Sequence, residues 1–201
     1  MQIDRALLPV ALFTSSYLLL AAIFAVMGGN SEFVFYIAVM AVLIAVVLIV
    51  HRKVQLKPAT LWGLSIWGLL HMAGGLVTLP PAWPTAGESP VLYNLWLVPD
   101  RLKFDQLVHA YGFGMATWVC WQGLQAAMQA VAGSRLRPTP GLLVLVAAAG
   151  MGLGAMNEVV EFAAVLLIPD TNVGGYMNTG WDLVANLAGC TVAAVWVYLS
   201  E

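Results

Sequence analysis

Ionisable side chains lie inside apolar stretches of this chain that are long enough to cross a membrane. A charged group in hydrocarbon costs several kcal/mol, so such segments rarely contain one without a use for it. Six of these groups come from four segments and fall at nearly the same predicted depth: His71, Asp105, His109, Glu158, Glu161 and Asp182. Imidazoles and carboxylates that converge in this way could bind a metal ion, relay protons or hold helices together.

The first interpretation is a divalent metal site, because imidazoles and carboxylates are the usual donors for Zn, Mn or non-haem Fe. His109, Glu158 and Asp182 are the preferred ligands, since they lie on three helices at matched depth. His71 and Asp105 come next, either as ligands or as groups that orient the ligands. A proton or ion relay and a purely structural network are the alternatives that remain open.

Glu161 is the candidate catalytic residue, either as a further ligand or as a general base toward a bound water. Asn157 precedes the acid pair on its segment, and Asn186 follows Asp182 by four residues, one helical turn. Both amides are expected to support the ligands by hydrogen bonds. Because acids this close cannot all remain ionised in a low dielectric without a cation or shared protons, a functional site is favoured over a structural one.

The composition predicts an all-α, polytopic membrane protein. The chain has 201 residues, of which 61% are hydrophobic and only 9% charged, whereas soluble domains carry about 25% charged residues. The net charge of -2 and the lack of a large basic patch exclude a nucleic-acid-binding protein. The sequence contains no nucleotide, haem or flavin motif, and Cys120 and Cys190 lie in apolar segments, where a structural disulfide is not expected.

About six transmembrane helices are predicted, because a span needs about 20 mostly apolar residues. They form one domain over residues 1–201, and the spans cover residues 6–27, 33–50, 60–79, 104–130, 141–168 and 181–199. The first span could instead be a secretory signal, since Ala22 and Ala25 precede small residues. Its length and the span that follows it favour a transmembrane helix.

The distribution of Lys and Arg predicts that both termini are cytoplasmic. Six basic residues fall on one side of a six-span topology, namely Arg5, Arg52, Lys53, Lys57, Arg135 and Arg137. The opposite side has only Arg101 and Lys103. The six candidate groups would then share an outward-facing pocket in the outer half of the bundle.

Two further patterns concern packing. The loop over residues 80–103 is rich in proline and aromatic residues, which predicts either an interfacial anchor or a lid over the site. Glycines recur in the fourth and fifth spans and predict close helix packing. They are Gly112, Gly114, Gly150, Gly152 and Gly154.

The polar motifs resemble a known family. The order His71-Met-Ala-Gly74-Gly75, Phe104-Asp105-Gln-Leu-Val-His109, Asn157-Glu158-Val-Val-Glu161-Phe162 and Trp181-Asp182 resembles the uncharacterised bacterial inner-membrane family typified by YjdF. The stretch Asp182-Leu-Val-Ala-Asn186-Leu-Ala-Gly189 also resembles VanZ-like proteins. The resemblance implies a small multi-pass protein of the bacterial cytoplasmic membrane. VanZ-like proteins are linked to glycopeptide (teicoplanin) resistance and the cell envelope.

The leading functional hypothesis is therefore an envelope protein whose outward-facing site binds a metal or handles a small or lipid-linked polar substrate, with membrane lipid as its partner. One alternative is a proton- or cation-coupled transporter, and another is a structural assembly partner. The predicted cytoplasmic halves of the helices contain few polar residues apart from Gln122 and Gln125. A pocket open to one side is thus favoured over a route through the membrane.

Overall fold

The protein is a bundle of six α-helices, as seen in a computed structural model that describes residues 7–87, 89–169 and 171–201. The helices are α1 Leu7–Met27, α2 Ser31–Val54, α3 Pro58–Leu76, α4 Phe104–Ala132, α5 Pro140–Leu167 and α6 Tyr176–Ser200. The predicted all-helical fold is confirmed. Arg5, which contributes to the predicted orientation, lies outside the described residues.

Four of these helices, α1, α2, α5 and α6, are long and apolar enough to cross a membrane by length and composition. The chain is therefore multi-helical with at least this many candidate spans. α3 and α4 are less apolar because they carry polar groups such as His71, His109 and Gln122. The N-termini of α2, α4 and α6 lie at one end of the bundle, which is called the site end below.

Helix α4 is the centre of the bundle and packs against α2, α3, α5 and α6. Its contact with α6 is the closest, because a Cβ placed on Gly189 would lie 1.8 Å from the carbonyl oxygen of Ala110. Across the same contact, a Cβ on Gly114 would lie 3.1 Å from the carbonyl oxygen of Gly189. Small residues thus let two backbones touch, as in other membrane helix pairs.

The other predicted packing glycines behave differently from one another. Side chains of neighbouring helices fill the space beside three of them: Trp67 at Gly112, Thr117 at Gly150 and Asn186 at Gly154. The prediction is wrong for Gly152, because a Cβ there would meet nothing within 4 Å among the described residues. Gly152 is on the opposite face of α5, since two residues rotate a helix by about 200°.

An apolar layer separates the site end from the opposite end of the bundle. Phe113, Ala116 and Cys190 form its buried part, and Trp67 packs against them. The Phe113 ring lies 5.4 Å from the Trp67 ring and 5.9 Å from the imidazole of His109, centroid to centroid. Cys190 and Cys120 are both free thiols, as predicted.

The segment between α3 and α4 folds back onto the site end. It contains a 3₁₀-helix, Leu92–Asn94, and a short antiparallel pair, β1 Trp96–Val98 and β2 Leu102–Lys103, which the sequence did not predict. Tyr93 enters the bundle beside Gly74, where a Cβ would lie 2.4 Å from the phenol ring. The inward-facing Tyr93 and the exposed Trp83 show that this segment has both a face toward the bundle and a face away from it.

A polar cluster fastens the opposite end. The carboxylate of Glu201 accepts hydrogen bonds from Trp121 Nε1 at 2.8 Å, Lys57 Nζ at 3.1 Å and Gln125 Nε2 at 3.2 Å. Burial opposes ionisation, but these hydrogen bonds and the Lys57 charge prevail and hold the pKa of Glu201 below its ordinary value. Gln122 donates to Thr60 at 2.7 Å, so both Gln122 and Gln125 are engaged in contacts between helices.

The α4–α6 contact predicts the effect of a single methyl group. Gly189→Ala should destabilise the protein by about 1–3 kcal/mol, because the methyl meets a carbonyl oxygen of a rigid helix. Thermal unfolding of the purified protein in detergent measures this change. Gly123→Ala, where a Cβ meets nothing within 4 Å, is the matched control and should be neutral or slightly stabilising. Equal stability of the two variants would contradict the proposed close contact.

Candidate functional site

Helices α4, α5 and α6 bring five of the six candidate side chains together around the imidazole of His109. Asp105 lies one turn earlier on α4, and its Oδ1 is 3.7 Å from His109 Nε2. Glu161 Oε1, from α5, lies 3.8 Å from the same nitrogen. Glu158 Oε1 lies 3.7 Å from Nδ1, on the other side of the ring. Asp182 of α6 completes the group.

These donors form two overlapping sets that could hold a metal ion. Asp105, His109 and Asp182 each offer an atom within 4.8 Å of the others, and so do His109, Glu158 and Glu161. The separations of 3.7–3.8 Å around the imidazole exceed those of a hydrogen bond. The groups therefore face one another with room between them.

The structure does not bring His71 into either set. Its Nδ1 lies 2.5 Å from the hydroxyl of Tyr93, and its ring packs edge-on against Tyr36 and Tyr93. Burial and the nearby Asp105 and Glu161 carboxylates raise the pKa of Tyr93 well above its ordinary value, so the phenol stays neutral in its hydrogen bond with His71. His71 thus connects α3 to the folded segment above the site.

Several buried polar atoms around His109 have no hydrogen-bond partner among the described residues. They are both carboxylate oxygens of Glu158, Oδ1 of Asp182 and Nδ2 of Asn186. Asp182 and Asn186 are fully buried, and the Glu158 side chain is 10% exposed. An unsatisfied buried polar group costs about 1–3 kcal/mol, and more if it is charged. These unpartnered atoms therefore lower the stability of the folded protein unless a ligand binds them.

The two asparagines contact the groups that they were expected to support. Asn186 Oδ1 lies 3.2 Å from His109 Nδ1, and Asn157 Nδ2 donates to Glu161 Oε1 at 2.7 Å. If Nδ1 carries the proton and donates it to Asn186, the Nε2 lone pair faces Asp105 and Glu161. The hydrogen bond to Asn186 then fixes both the tautomer and the orientation of the ring.

Asn178 and Lys103 also belong to the site, although sequence reasoning did not select them. Asn178 Nδ2 donates to Asp105 at 3.4 Å and to Asp182 at 2.5 Å. Lys103 Nζ donates to Asn178 Oδ1 and lies 3.6 Å from Asp105 Oδ2. Both had a signal in the sequence, because Lys103 directly precedes α4 and Asn178 lies four residues before Asp182. Asn178 was missed because the sixth span was predicted to begin at residue 181.

A polar cavity of about 60 Å³ opens beside Asp105 and Glu161, the two acids that lie nearest His109 Nε2, and His109 itself is not among its lining residues. One ordered water needs roughly 10–15 Å³ by the same measure, so the cavity can hold a small ligand or a few waters. Glu32 of α2 also lines it, and this acid accepts a hydrogen bond from the Asn172 backbone at 2.9 Å. The charged and phenolic side chains of the wall are Glu32, Tyr36, Tyr93, Lys103, Asp105 and Glu161.

Comparison with models of protein families assigns the chain to one family. The model of a family described as "Predicted membrane protein (DUF2238)" matches residues 10–201. The chain belongs to this family. The match includes every site residue and confirms the prediction of a membrane protein from a family without an assigned activity. It does not test the resemblance to YjdF and VanZ-like proteins. No curated protein and no solved structure matches the chain.

The unpartnered oxygens of Glu158 predict a stability gain when the charge is removed. In chelator-treated protein, Glu158→Gln should raise the unfolding temperature by about 3 °C or more, because a neutral amide is cheaper to bury than an unpaired carboxylate. Thermal unfolding in detergent measures the shift. An unchanged or lower unfolding temperature would show that Glu158 is already compensated.

Glu201→Gln is the control for this variant. It makes the same chemical change but should shift the unfolding temperature in the opposite direction. It should lower the unfolding temperature near pH 7, because it removes the charge that Lys57 and Trp121 stabilise. Since the pKa of Glu201 is lowered from 4.5, this contribution is present above that pH. It is lost as the pH falls through the lowered value, so the two proteins should converge on acidification.

Proposed function

We propose that this protein spans the bacterial cytoplasmic membrane six times and binds a divalent metal ion in a pocket that opens outward. The observation that carries this proposal is the cluster of acids around His109, in which both oxygens of Glu158 and Oδ1 of Asp182 have no hydrogen-bond partner among the described residues. A bound cation would provide the missing interaction for these oxygens. The resemblance to YjdF and VanZ-like proteins supports a role in the cell envelope.

The distances within the cluster support a metal ion over hydrogen bonding alone. Ligand bonds of about 2.0–2.2 Å in a tetrahedral site put neighbouring donor atoms roughly 3.4 Å apart. The separations of 3.7 Å and 3.8 Å from His109 Nε2 to Asp105 and Glu161 are close to this value. Asp182 and Glu158 are the further ligands of the two donor sets. Zn, Mn and Fe all accept such mixed imidazole and carboxylate donors.

The net charge of the cluster also supports a bound divalent cation. Asp105, Glu158, Glu161 and Asp182 contribute four acids, and Lys103 contacts one of them, Asp105. A divalent cation would compensate most of the charge that Lys103 leaves on the ionised cluster.

The proposed activity is metal-dependent hydrolysis of a polar envelope substrate. A metal ion held by Asp105 and Glu161 would border the cavity, because both acids line it, and water or a substrate could reach the ion from there. Glu161 lines the same cavity and is held by Asn157, so it is the residue best suited to accept a proton from a bound water. Glu161 would act as ligand or base, and Asn186 would orient His109.

A transport function has less support. A pathway for protons or cations needs polar groups at several depths. Below His109 lies the apolar layer of Phe113, Ala116 and Cys190, and Gln122 beyond it is bound to Thr60. These contacts favour a pocket that is open on one side.

The proposed topology predicts which residues are reached from outside the cell. Arg101 lies at the site end, and Arg52 lies in the last turn of α2 at the opposite end. In intact spheroplasts, a membrane-impermeant maleimide should label Arg101→Cys but label Arg52→Cys only after permeabilisation. The reverse pattern would place the pocket on the cytoplasmic side, and the protein without added cysteines gives the background from Cys120 and Cys190.

Metal analysis is the direct test of the proposed site. Protein incubated with Zn²⁺ or Mn²⁺ and then desalted should retain the ion, as measured by mass spectrometry of the metal. His109→Gln and Glu161→Gln should lose at least about 90% of it, since each removes a donor from a small site. The matched control is His51→Gln, because His51 is also buried but lies at the opposite end of α2. Equal retention by all variants, or none by the unmodified protein, would contradict the proposal.

A further inference from the structure

Lys103 is a buried cation in the wall of the cavity. It is 9% exposed, and among the described residues that line the cavity it is the one Lys or Arg. A lysine is rarely this buried unless it is paired. Its ammonium group contacts Asp105 and Asn178 on one side. As a cavity-lining group, it can also meet a ligand from the cavity.

Helix N-termini add further positive potential at this point. The first turns of α2 and α6 both contribute lining residues, namely Glu32 and Asn178, and Lys103 directly precedes α4. The N-cap residue of α6 is Gly175, which has no side chain to cap the helix, and the Asn178 N–H donates to the Gly175 carbonyl at 2.8 Å. The positive end of the helix dipole favours an anion at this point.

The acids of the cavity wall oppose anion binding unless a cation compensates their charge. Asp105, Glu161 and Glu32 also line the wall and would repel an anion from the metal-free protein. A divalent ion on Asp105 and Glu161 would remove most of that repulsion and add an anion ligand site of its own. Glu32 is already bound to the Asn172 backbone. Anion binding would therefore require the metal.

From these features we infer that the site takes a phosphate group, bound between the metal ion and Lys103. A phosphate presents several strong acceptor oxygens, which can meet a metal ion, an ammonium group and a side-chain amide such as that of Asn172 at once. The cavity of about 60 Å³ admits a compact group of this kind and leaves a larger remainder outside. The inference rests on the proposed metal site, and it names the substrate class of that site.

The test is calorimetric titration of inorganic phosphate into detergent-solubilised protein, once loaded with Mn²⁺ and once treated with a chelator. Phosphate should bind the loaded protein at least about tenfold more tightly than the metal-free protein. Because linkage is reciprocal, phosphate should tighten Mn²⁺ binding by the same factor.

Lys103→Gln separates the phosphate contact from the metal site. This variant should retain Mn²⁺ and lose phosphate affinity by about tenfold or more, as expected for a charge-assisted contact. Arg101→Gln is the matched control, because Arg101 is exposed in the same segment and does not line the cavity. It should leave both affinities unchanged. The unfolding temperature of each variant shows whether it has folded.

Competition in nanodiscs identifies the source of the phosphate group. If phosphatidic acid, but not phosphatidylcholine, displaces inorganic phosphate, the ligand is a lipid head group with a terminal phosphate. If neither lipid displaces it, the ligand is a free phosphate or a soluble phosphate ester.

Two results would overturn the inference. Protein that retains Mn²⁺ but binds no phosphate would remove it and leave the metal site in place. Phosphate binding that is insensitive to both Mn²⁺ and Lys103→Gln would show that phosphate binds elsewhere on the protein and not in the cavity. A protein that binds no Mn²⁺ would instead remove the proposed function, and the inference with it.

Discussion

Burial of several carboxylates against one imidazole is the constraint on which the rest of this structure depends. Asp182 is fully buried, and neither oxygen of Glu158 has a hydrogen-bond partner among the described residues. A fold bears such a cost when the groups serve a function, since well-packed apolar residues would be more stable there. The proposed cation would turn this unfavourable cluster into a source of stability, because ligands that bind only the folded state shift the unfolding equilibrium.

The surrounding elements hold the cluster in a fixed position, and the apolar layer closes it on the side away from the site end. The contact of Gly189 with Ala110 holds α4 against α6, so that His109 and Asn186 can meet across the interface. Phe113 closes the floor of the site under the imidazole. The segment above it contributes Tyr93, whose hydroxyl is bound to His71. Access is thereby limited to the cavity at the site end.

Much of this arrangement could be predicted from the sequence, because apolar length and helical spacing are local signals. The six helices overlap the six predicted segments, although α6 begins five residues before its predicted start, and the spacing of Asp105 from His109 correctly predicted a shared face. Long-range contacts were harder to predict. The binding of His71 to Tyr93 depends on how an irregular segment folds back, and Asn178 was missed because α6 begins at Tyr176. Whether the cluster binds a metal stays a prediction, since spacing alone does not distinguish ligands from a structural network.

The most direct test of the central claim is anomalous diffraction from crystals of the protein soaked with Mn²⁺ or Zn²⁺. The account predicts one strong anomalous peak within bonding distance of a His109 ring nitrogen, with carboxylate oxygens of α4 and α5 or α6 in the same coordination sphere. A peak elsewhere on the protein, or well-ordered acids around His109 without one, would contradict it.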